Sequence, residues 1–466
     1  MKSKSKHDRN GHIVKIFMLA LCLSAIVALS SCATSDVIAE GGDFSTIMQA
    51  FKTDLFGAEK QECSQISFLL PIREGFEPIE DKSAYASLEK ANMREAYEAI
   101  EESLFLITPE QNSSGYYIMK NTRLSSKLDS GDIYVVKEAV LADHPEAFWI
   151  TGDYNIGSNF HDGNYITMYS NYSYEEIMSA IEEINNAAAD IFSRIPDGAS
   201  ELDCELIIHD ALVDGVSYDS EAAANEDTDS AAFGIYGALV KDKAVCSGYA
   251  RAAKTLLNRV GIECRLVSGM SKNSGHMWNQ VKINGNWYNL DVTWDDPITD
   301  DDVIYNRYSY FNITDEQLLM DHEPGGDFSS ITFEYTDDSR YATADLYNFT
   351  LEECTATDAN YYMMKAVYIP SISDKSISDI TEKIKGASSL GEEILYLRFD
   401  DSVPSDKAEA WLIKNSNGKS SALGRSLTAA NNSGTGAKIK TCSLVRLAST
   451  DDSAWTHIYA VRLVYA

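Results

Sequence analysis

The feature that most constrains the fold is an Asn-Gly dipeptide between two runs in which apolar and polar residues alternate. Asn284-Gly285 separates residues 276–283 from residues 286–292. An Asn-Gly pair in this setting predicts a two-residue β-hairpin turn. Such a turn fixes the strand register, because Ile283 must then lie opposite Asn286.

This register places a histidine and an aspartate on the same face of the predicted hairpin. Trp278 lies opposite Asp291, so His276 is the diagonal neighbour of Asp291, about 7–8 Å away along the sheet. An imidazole and a carboxylate can bridge that separation with a hydrogen bond. The opposite face is predicted to pack on the core and carries Val281, Ile283, Tyr288, Leu290 and Val292. We therefore expect the face with His276, Trp278, Gln280 and Asp291 to be free to line a cleft.

A cysteine begins the helix that is predicted before this hairpin. One apolar stripe is formed by Ala250, Ala253, Leu256, Leu257 and Val260, and Gly261 is a suitable C-terminal stop. Cys246 then lies at the helix N-terminus, where unpaired N–H groups and the helix dipole favour a thiolate. With a basic partner, such a position brings a cysteine pKa from about 8.5 into the range of about 3.5–7.5. The same N–H groups would stabilise an oxyanion. Residues 262–267 are predicted to form the next strand.

Cys246, His276 and Asp291 together predict a nucleophilic site. His276 would accept the thiol proton and later donate it to a leaving amine, while Asp291 would orient the imidazole. Each residue alone has an ordinary alternative role. A cysteine at a helix start is more often a small buried hydrophobe, a single histidine is often a satisfied surface or core residue, and an aspartate often caps a turn. The joint pattern is much rarer than its parts.

Three segments resemble the transglutaminase-like superfamily. They are Cys-Ser-Gly-Tyr-Ala at 246–250, His-Met-Trp-Asn-Gln-Val at 276–281 and Trp-Tyr-Asn-Leu-Asp-Val-Thr-Trp-Asp-Asp-Pro at 287–297. The similarity is closest to bacterial and cytokinesis-type members, which also carry a helix like residues 210–218 upstream. It implies a papain-like fold and thiol-mediated acyl transfer or amide hydrolysis, with Cys246, His276 and Asp291 as the triad. Met277 stands where the family usually has alanine. Family members include proteases, amidases, cross-linking enzymes and inactive proteins.

The predicted fold class is α+β, with a central papain-like domain between two flanking mixed α/β domains. The predicted units are a signal peptide (1–31), a tether (32–65), an N-terminal mixed domain (66–198), the catalytic domain (199–325) and a C-terminal α/β domain (326–466). In the N-terminal domain we predict helices at 85–104 and 174–191 and strands at 132–140 and 148–154. In the C-terminal domain we predict strands at 361–369, 394–399, 438–447 and 455–465, with helices at 376–385 and 405–414.

The N-terminus is typical of an exported bacterial lipoprotein. A basic start precedes the apolar run 16–29, which is too short for a comfortable membrane span. Leu29-Ser30-Ser31-Cys32 resembles a lipobox, which predicts that Cys32 receives a diacylglyceryl group. We therefore expect a lipid anchor on the outer face of the cell membrane. The alternative is an ordinary cleaved signal followed by a coincidental cysteine.

The net charge and the cysteine pattern exclude some classes of partner and ligand. The net charge of −32 disfavours nucleic acid, because phosphate binding requires a basic face. The eight cysteines show neither a disulfide framework nor a paired metal-binding motif, so we expect no metal and no cofactor. Aspartates 291, 295, 296 and 300–302 could suggest calcium, but without Gly-spaced ligands a solvated acidic loop is favoured.

The predicted function is hydrolysis of amide bonds in peptides or proteins, including those associated with the cell wall. Water is always available, and no motif marks an amine-acceptor site. Transglutamination is the enzymatic alternative, and a surface adhesion or ligand-binding module with a vestigial triad is the alternative from another class. Trp278, Trp294 and Tyr236 are predicted to line the substrate cleft, although cross-strand packing would also explain the tryptophans.

Overall fold

The structure is a computed structural model of the chain. The structure describes residues 70–72, 82–124, 128–159, 163–225, 229–272, 274–297, 305–325, 330–334, 341–345, 351–415, 420–447 and 457–466. The predicted signal peptide, the predicted lipidation residue Cys32 and the predicted tether lie outside the described residues. None of the described helices is long and apolar enough to cross a membrane.

The N-terminal part contains a six-stranded antiparallel sheet packed against helices. The sheet order is β1-β2-β3-β6-β4, and β5 pairs with the other edge of β6. The strands are β1 Leu70–Pro71, β2 Leu106–Gln111, β3 Tyr117–Met119, β4 Thr122–Leu124, β5 Ile150–Asn159 and β6 Gly163–Ser170. The helices are α1 Ser83–Ser87, α2 Ala91–Ser103, α3 Ser130–Asp143 and α4 Tyr174–Phe192.

Two expectations for this part need correction. The predicted strand 132–140 is wrong, because these residues belong to helix α3. The Asp129 side chain accepts a hydrogen bond from the backbone N–H of Asp132 and so caps the helix. Ile133, Val136 and Val140 are buried at helical spacing, which overrides their preference for strands. The single helix predicted at 85–104 is divided into α1 and α2.

The central part consists of helices packed on a four-stranded antiparallel sheet of order β11-β10-β9-β12. Its helices are α5 Glu201–Gly215, α6 Ser220–Asn225, α7 Ile235–Val240, α8 Cys246–Arg259 and α9 Asp315–Leu318. Its strands are β7 Ser217–Tyr218, β8 Lys243–Ala244, β9 Cys264–Ser271, β10 Ser274–Ile283, β11 Asn286–Leu290 and β12 His322–Pro324. Helix α8 buries Ala253, Leu256 and Leu257 in the core that it shares with this sheet.

The C-terminal part is a second α/β layer. Strands β13 Ser330–Glu334 and β14 Tyr341–Asp345 form a separate antiparallel pair. The main sheet has the order β15-β16-β18-β17, in which only the β15–β16 pair is parallel. Its strands are β15 Val367–Ile369, β16 Ile394–Phe399, β17 Ile439–Arg446 and β18 Ile458–Tyr465, and the helices are α10 Tyr361–Lys365, α11 Asp374–Leu390, α12 Ser405–Ile413 and α13 Ala422–Asn432.

The strand predicted at 361–369 begins too early. The Asn360 side chain accepts hydrogen bonds from the backbone N–H groups of Tyr362 and Met363, which starts helix α10 at Tyr361. Only Val367–Ile369 is a strand. Helix α13 was not predicted.

The C-terminal sheet packs on the central core, since Tyr396, Ile458 and Ala460 belong to the central hydrophobic cluster.

Candidate active site

Cys246 is the first residue of helix α8, as its sequence pattern predicts. The parallel pairing of β7 with β8 leads the chain to this point, and the N–H of Val245 donates to the carbonyl of Ala232 at 3.0 Å. The N–H groups of Gly248 and Tyr249 both donate to the Val245 carbonyl, at 2.9 and 3.2 Å. Cys246 and Ser247 precede these bonds, so their N–H groups belong to the end of the helix that attracts negative charge.

Gly248 allows this helix start to approach the preceding loop. A Cβ atom at position 248 would lie 2.4 Å from the Ala232 carbonyl oxygen and 2.8 Å from Ala244 Cβ. These are backbone and short side-chain atoms, so they cannot move aside without shifting the segments that hold Cys246.

We expect Gly248→Ala to lower the free energy of unfolding by about 1–3 kcal/mol, because overpacking forces the helix and the loop apart. Urea denaturation followed by circular dichroism measures this loss. Gly215→Ala is the matched control, since a Cβ atom there would meet no atom within 4 Å. Equal stability of the two variants would contradict the close approach.

The β10–β11 hairpin has the predicted register. Asn284 and Gly285 both have positive φ angles, 51° and 86°, as a type I′ turn requires. Ile283 pairs with Asn286, and the ladder continues to Asn279 opposite Leu290. Asp291 follows immediately, and its Oδ2 lies 2.6 Å from Nε2 of His276. The diagonal contact expected from the turn is therefore present.

The Asp291 carboxylate is held from several sides. Its Oδ1 accepts hydrogen bonds from the backbone N–H groups of Thr293 at 3.0 Å and Trp294 at 3.2 Å. Its Oδ2 faces His276 and also Nε2 of His322, at 3.1 Å. Asp291 is only 1% exposed, so this carboxylate is satisfied by fixed partners.

The three groups of the predicted triad are electrostatically coupled. Burial disfavours the charged form of His276, but the Asp291 carboxylate and the Cys246 side chain outweigh it and raise the pKa of His276 to about 10. Burial would raise the pKa of Asp291, but the charges and hydrogen bonds of His276 and His322 hold that pKa well below its usual range. Nε2 of His276 is used by Asp291, which leaves Nδ1 to face the thiol. The site therefore favours an imidazolium beside the sulfur.

A cleft of about 480 Å³ opens beside His276. Its walls include Tyr218, Trp294 and Tyr310. Lys272 also lines it, with Nζ 4.0 Å from the centre of the Trp294 ring. The volume of the cleft lies in the range of ligand-binding pockets, and His276 forms part of its wall.

The other two residues predicted for the cleft lie elsewhere. Trp278 is 1% exposed and stacks against His276 at a centroid distance of 5.9 Å, so it supports the imidazole from the protein interior. Tyr236 lies on α7, where it stacks on Phe148 at 5.5 Å, and it does not line the cleft beside His276.

The expectation that the whole His276 face of the hairpin is free was also wrong. Gln280 is buried because residues 351–354 cover it. Its Nε2 donates to the Glu352 carbonyl at 2.9 Å, and its Oε1 accepts from the Glu352 N–H at 2.9 Å. Only the end of this face that carries His276 therefore reaches the cleft.

The aspartates after the hairpin are structural rather than a solvated loop where they are described. Asp295 is fully buried between Nε2 of His209, at 3.1 Å, and the N–H of Tyr310, at 2.8 Å. Asp296 accepts a hydrogen bond from the Tyr249 hydroxyl at 2.6 Å. Residues 300–302 lie outside the described residues.

Two residues of the site were not predicted. Tyr218 lines the cleft, and its pKa is raised by burial and then by the charges of Cys246 and Asp291. His322 binds the carboxylate from β12. No local motif marks either residue, because Tyr218 is placed by its pairing with Ala244 and β12 by its pairing with β9.

One set of possible metal-binding atoms is present among the described residues. Donor atoms of His276, Asp291 and His322 lie within 4.8 Å of one another. In the structure, Oδ2 of Asp291 is within hydrogen-bond distance of both rings. These side chains are therefore linked by hydrogen bonds, in which Nε2 of His276 and Nε2 of His322 both donate to one carboxylate oxygen.

The central part thus places a cysteine at a helix start and packs that helix on an antiparallel sheet that carries a histidine hydrogen-bonded to an aspartate. Residues 193–292 match the family model described as the transglutaminase-like superfamily. Residues 193–292 of this α+β protein are therefore similar to transglutaminase-like domains.

The chain is also similar to two curated proteins. The kyphoscoliosis peptidases of Mus musculus and Homo sapiens are 30% and 29% identical to it over 126 residues. Each alignment covers 23% of this chain and 19% of the relative, so the chain spans about a fifth of the length of these relatives.

Among solved structures, a crystal structure of a TGase aligns with 39% of this chain and 52% of its own chain. The identity is 15% and the TM-score is 0.23, so this likeness carries no argument about function.

Proposed function

We propose that this protein is a cell-surface thiol hydrolase that cleaves amide bonds of peptides or proteins through a thioester on Cys246. The observation that carries this proposal is the His276–Asp291 hydrogen bond of 2.6 Å beside Cys246. His276 of this pair lines an open cleft.

In the first half-reaction, the Cys246 thiolate attacks the carbonyl carbon of the substrate. The developing oxyanion is stabilised by N–H groups at the start of α8. The C–N bond then breaks, and the His276 imidazolium donates its proton to the leaving amine. The products of this step are a free amine, a thioester and a neutral imidazole held by Asp291.

In the second half-reaction, the neutral His276 accepts a proton from water as the water oxygen attacks the thioester carbon. The C–S bond breaks and releases the carboxylic acid, and the proton on His276 restores the thiolate–imidazolium pair. If a primary amine attacks instead of water, the product is a new amide and the protein is a transglutaminase.

Thiol labelling tests whether this pair exists. We expect Cys246 to react with iodoacetamide at pH 6–7 at least ten times faster than Cys204, because a thiolate and not a thiol is the nucleophile. Burial, followed by the charge of Asp203, raises the pKa of Cys204, and burial likewise raises the pKa of Cys442. Peptide mapping by mass spectrometry measures the rates separately. Equal rates would favour a binding module with a vestigial triad.

Product analysis then separates hydrolysis from transfer. Peptide mixtures incubated with a fluorescent primary amine would gain new N-termini if hydrolysis dominates. They would gain the fluorescent label on glutamine if transglutamination dominates. The position of the cuts or labels also identifies the side chains that the cleft accepts.

The location of the enzyme is part of the proposal. A lipid on Cys32 would tether the protein to the outer face of the membrane, next to peptide and protein substrates and away from nucleic acid. Metabolic labelling with a fatty-acid analogue should modify the wild type and not Cys32→Ser. Label on both proteins, or on neither, would contradict the anchor.

A further inference from the structure

The carboxylate of the proposed triad is shared between two histidines. Oδ2 of Asp291 lies 2.6 Å from Nε2 of His276 and 3.1 Å from Nε2 of His322. A triad needs only the first of these contacts. The second contact is made by His322, a buried titratable residue that the reaction described above does not use.

The other nitrogen of the second histidine is also bound to a carboxylate. Nδ1 of His322 lies 2.6 Å from Oδ1 of Asp321. A neutral imidazole donates from one nitrogen only, whereas an imidazolium donates from both. Two ionised carboxylates at the two nitrogens therefore favour the imidazolium form of His322. Burial opposes this charge, but Asp291 and Asp321 outweigh burial and raise the pKa of His322.

His322 is rigidly held. Its side chain is fully buried, and its ring packs against Trp278 at 5.1 Å and Trp294 at 4.9 Å between centroids. Strand β12 carries it close to β9 because Gly269 has no side chain there. A Cβ atom at position 269 would lie 2.2 Å from the Glu323 carbonyl oxygen.

We propose that His322 is a positioning residue, a fixed positive charge behind Asp291 that limits how strongly this carboxylate holds the proton of His276. The ring centroids of His276 and His322 are 5.4 Å apart, so two positive rings repel each other across one carboxylate. This repulsion makes His276 a better proton donor to the leaving amine. The role in turnover rests on the proposed function.

Other charged and titratable groups near the two rings must stay constant in a test. Cys246 and Asp291 face His276, and Asp291 and Asp321 face His322. Further groups of this kind among the described residues are Tyr310, which donates to Asp321, Tyr218, Lys272 and Asp296 in the cleft, and Asp295, which interacts electrostatically with Asp291. None of them is changed by a substitution at position 322.

The test measures how turnover and Cys246 alkylation depend on pH in His322→Gln, a variant that keeps an N–H donor and removes the charge. We expect the alkaline limb of turnover to move up by about 1 pH unit, because His276 keeps its proton longer without the repulsion. Turnover at the plateau should fall about 3- to 10-fold, since a weaker acid protonates the leaving amine less readily. The rate of Cys246 alkylation should change at alkaline pH, where His276 loses its proton. In His322→Gln this change should move up by the same amount, and it can be measured without any substrate.

His144→Gln is the matched control. His144 also lies between two carboxylates, with Nδ1 2.7 Å from Glu146 and Nε2 2.9 Å from Glu101, but it belongs to the N-terminal part. This variant should leave both profiles in place. Asp321→Asn serves as a second variant if His322→Gln does not fold. Without its counter-charge His322 loses its proton more easily, so an upward shift is again expected.

An unchanged alkaline limb in His322→Gln would overturn the proposal, even if activity or stability falls. A second outcome would contradict only the proposed function. If the alkylation rate of wild-type Cys246 changes at alkaline pH but no amide is cleaved or transferred, the hydrolase proposal fails. The alkylation profiles of the variants then decide on His322 alone.

Discussion

Cys246→Ala is expected to lower turnover by about 10⁵- to 10⁶-fold while leaving the folded structure unchanged. Loss of a nucleophile removes the covalent route altogether, and single losses of this kind cost enzymes about that factor. Cys246 is only partly buried at the start of α8, so removal of its sulfur leaves little buried surface uncompensated. The free energy of unfolding should therefore change by less than about 1 kcal/mol.

Cys204→Ala is the control for this experiment. Cys204 is also a partly buried free cysteine on a helix, but it lies on α5 and its pKa is raised by burial and by the charge of Asp203. We expect it to retain wild-type turnover. Release of amine at the wild-type rate from Cys246→Ala would rule out the thioester route.

The sequence predicted the geometry that depends on local rules. Asn284-Gly285 determines the turn, the turn determines the register, and the register brings His276 to Asp291. The helix start at Cys246 follows equally from a local apolar stripe and a glycine stop. These features needed no knowledge of contacts between distant segments.

Features that depend on long-range packing were missed. His322 reaches Asp291 across 31 residues, because β12 pairs with the far edge of β9. The burial of Gln280 depends on a segment 72 residues later that covers the sheet. Spacing and composition mark neither His322 nor the segment 351–354. The local pattern therefore predicted an exposed face, whereas the backbone of that later segment covers part of it.

Helix α3 shows how packing overrides intrinsic preference. Ile133, Tyr134, Val135 and Val136 are strand-forming residues, and the segment was predicted as a strand for that reason. An aspartate cap and the burial of one helical face against α2 determine the outcome instead.

Asp291→Asn should lower kcat/KM by about 10³- to 10⁴-fold, because it places the wrong proton on His276. In the wild type, Oδ2 accepts the Nε2–H of His276, so Nδ1 is available to the thiol. The backbone N–H groups of Thr293 and Trp294 occupy the other carboxylate oxygen and would retain the asparagine oxygen there. The asparagine NH₂ group then faces both imidazoles, and His276 must accept at Nε2. Its proton moves to Nδ1, which can no longer receive the thiol proton.

The same substitution should change how stability depends on pH. Folded His276 keeps its proton up to a pKa of about 10, against 6.5 in the unfolded chain. The stabilisation from its pairing with Asp291 is therefore complete below pH 6.5 and is lost as the pH rises towards 10. Because the asparagine removes the charge that raises this pKa, Asp291→Asn should lack most of that alkaline decline. The raised pKa of His322 also depends on Asp291, so its part of the alkaline decline should shrink together with that of His276. His144 and His209, with pKa values near 9, contribute equally to both proteins and cancel in the comparison.

Asp143→Asn separates the catalytic effect from the loss of a buried charge. Asp143 is fully buried and accepts hydrogen bonds from the N–H groups of Ala84 and Tyr85 and from the Tyr97 hydroxyl, all at 2.9 Å. We expect this control to lower the free energy of unfolding by about 1–3 kcal/mol, as the loss of partners for buried donors does. Its turnover per folded molecule should remain that of the wild type. Urea denaturation between pH 6 and 10, with kcat/KM measured on the same samples, tests both variants. If Asp291→Asn stays within tenfold of wild-type kcat/KM, the carboxylate does not set the tautomer of His276, and the pair is structural rather than catalytic.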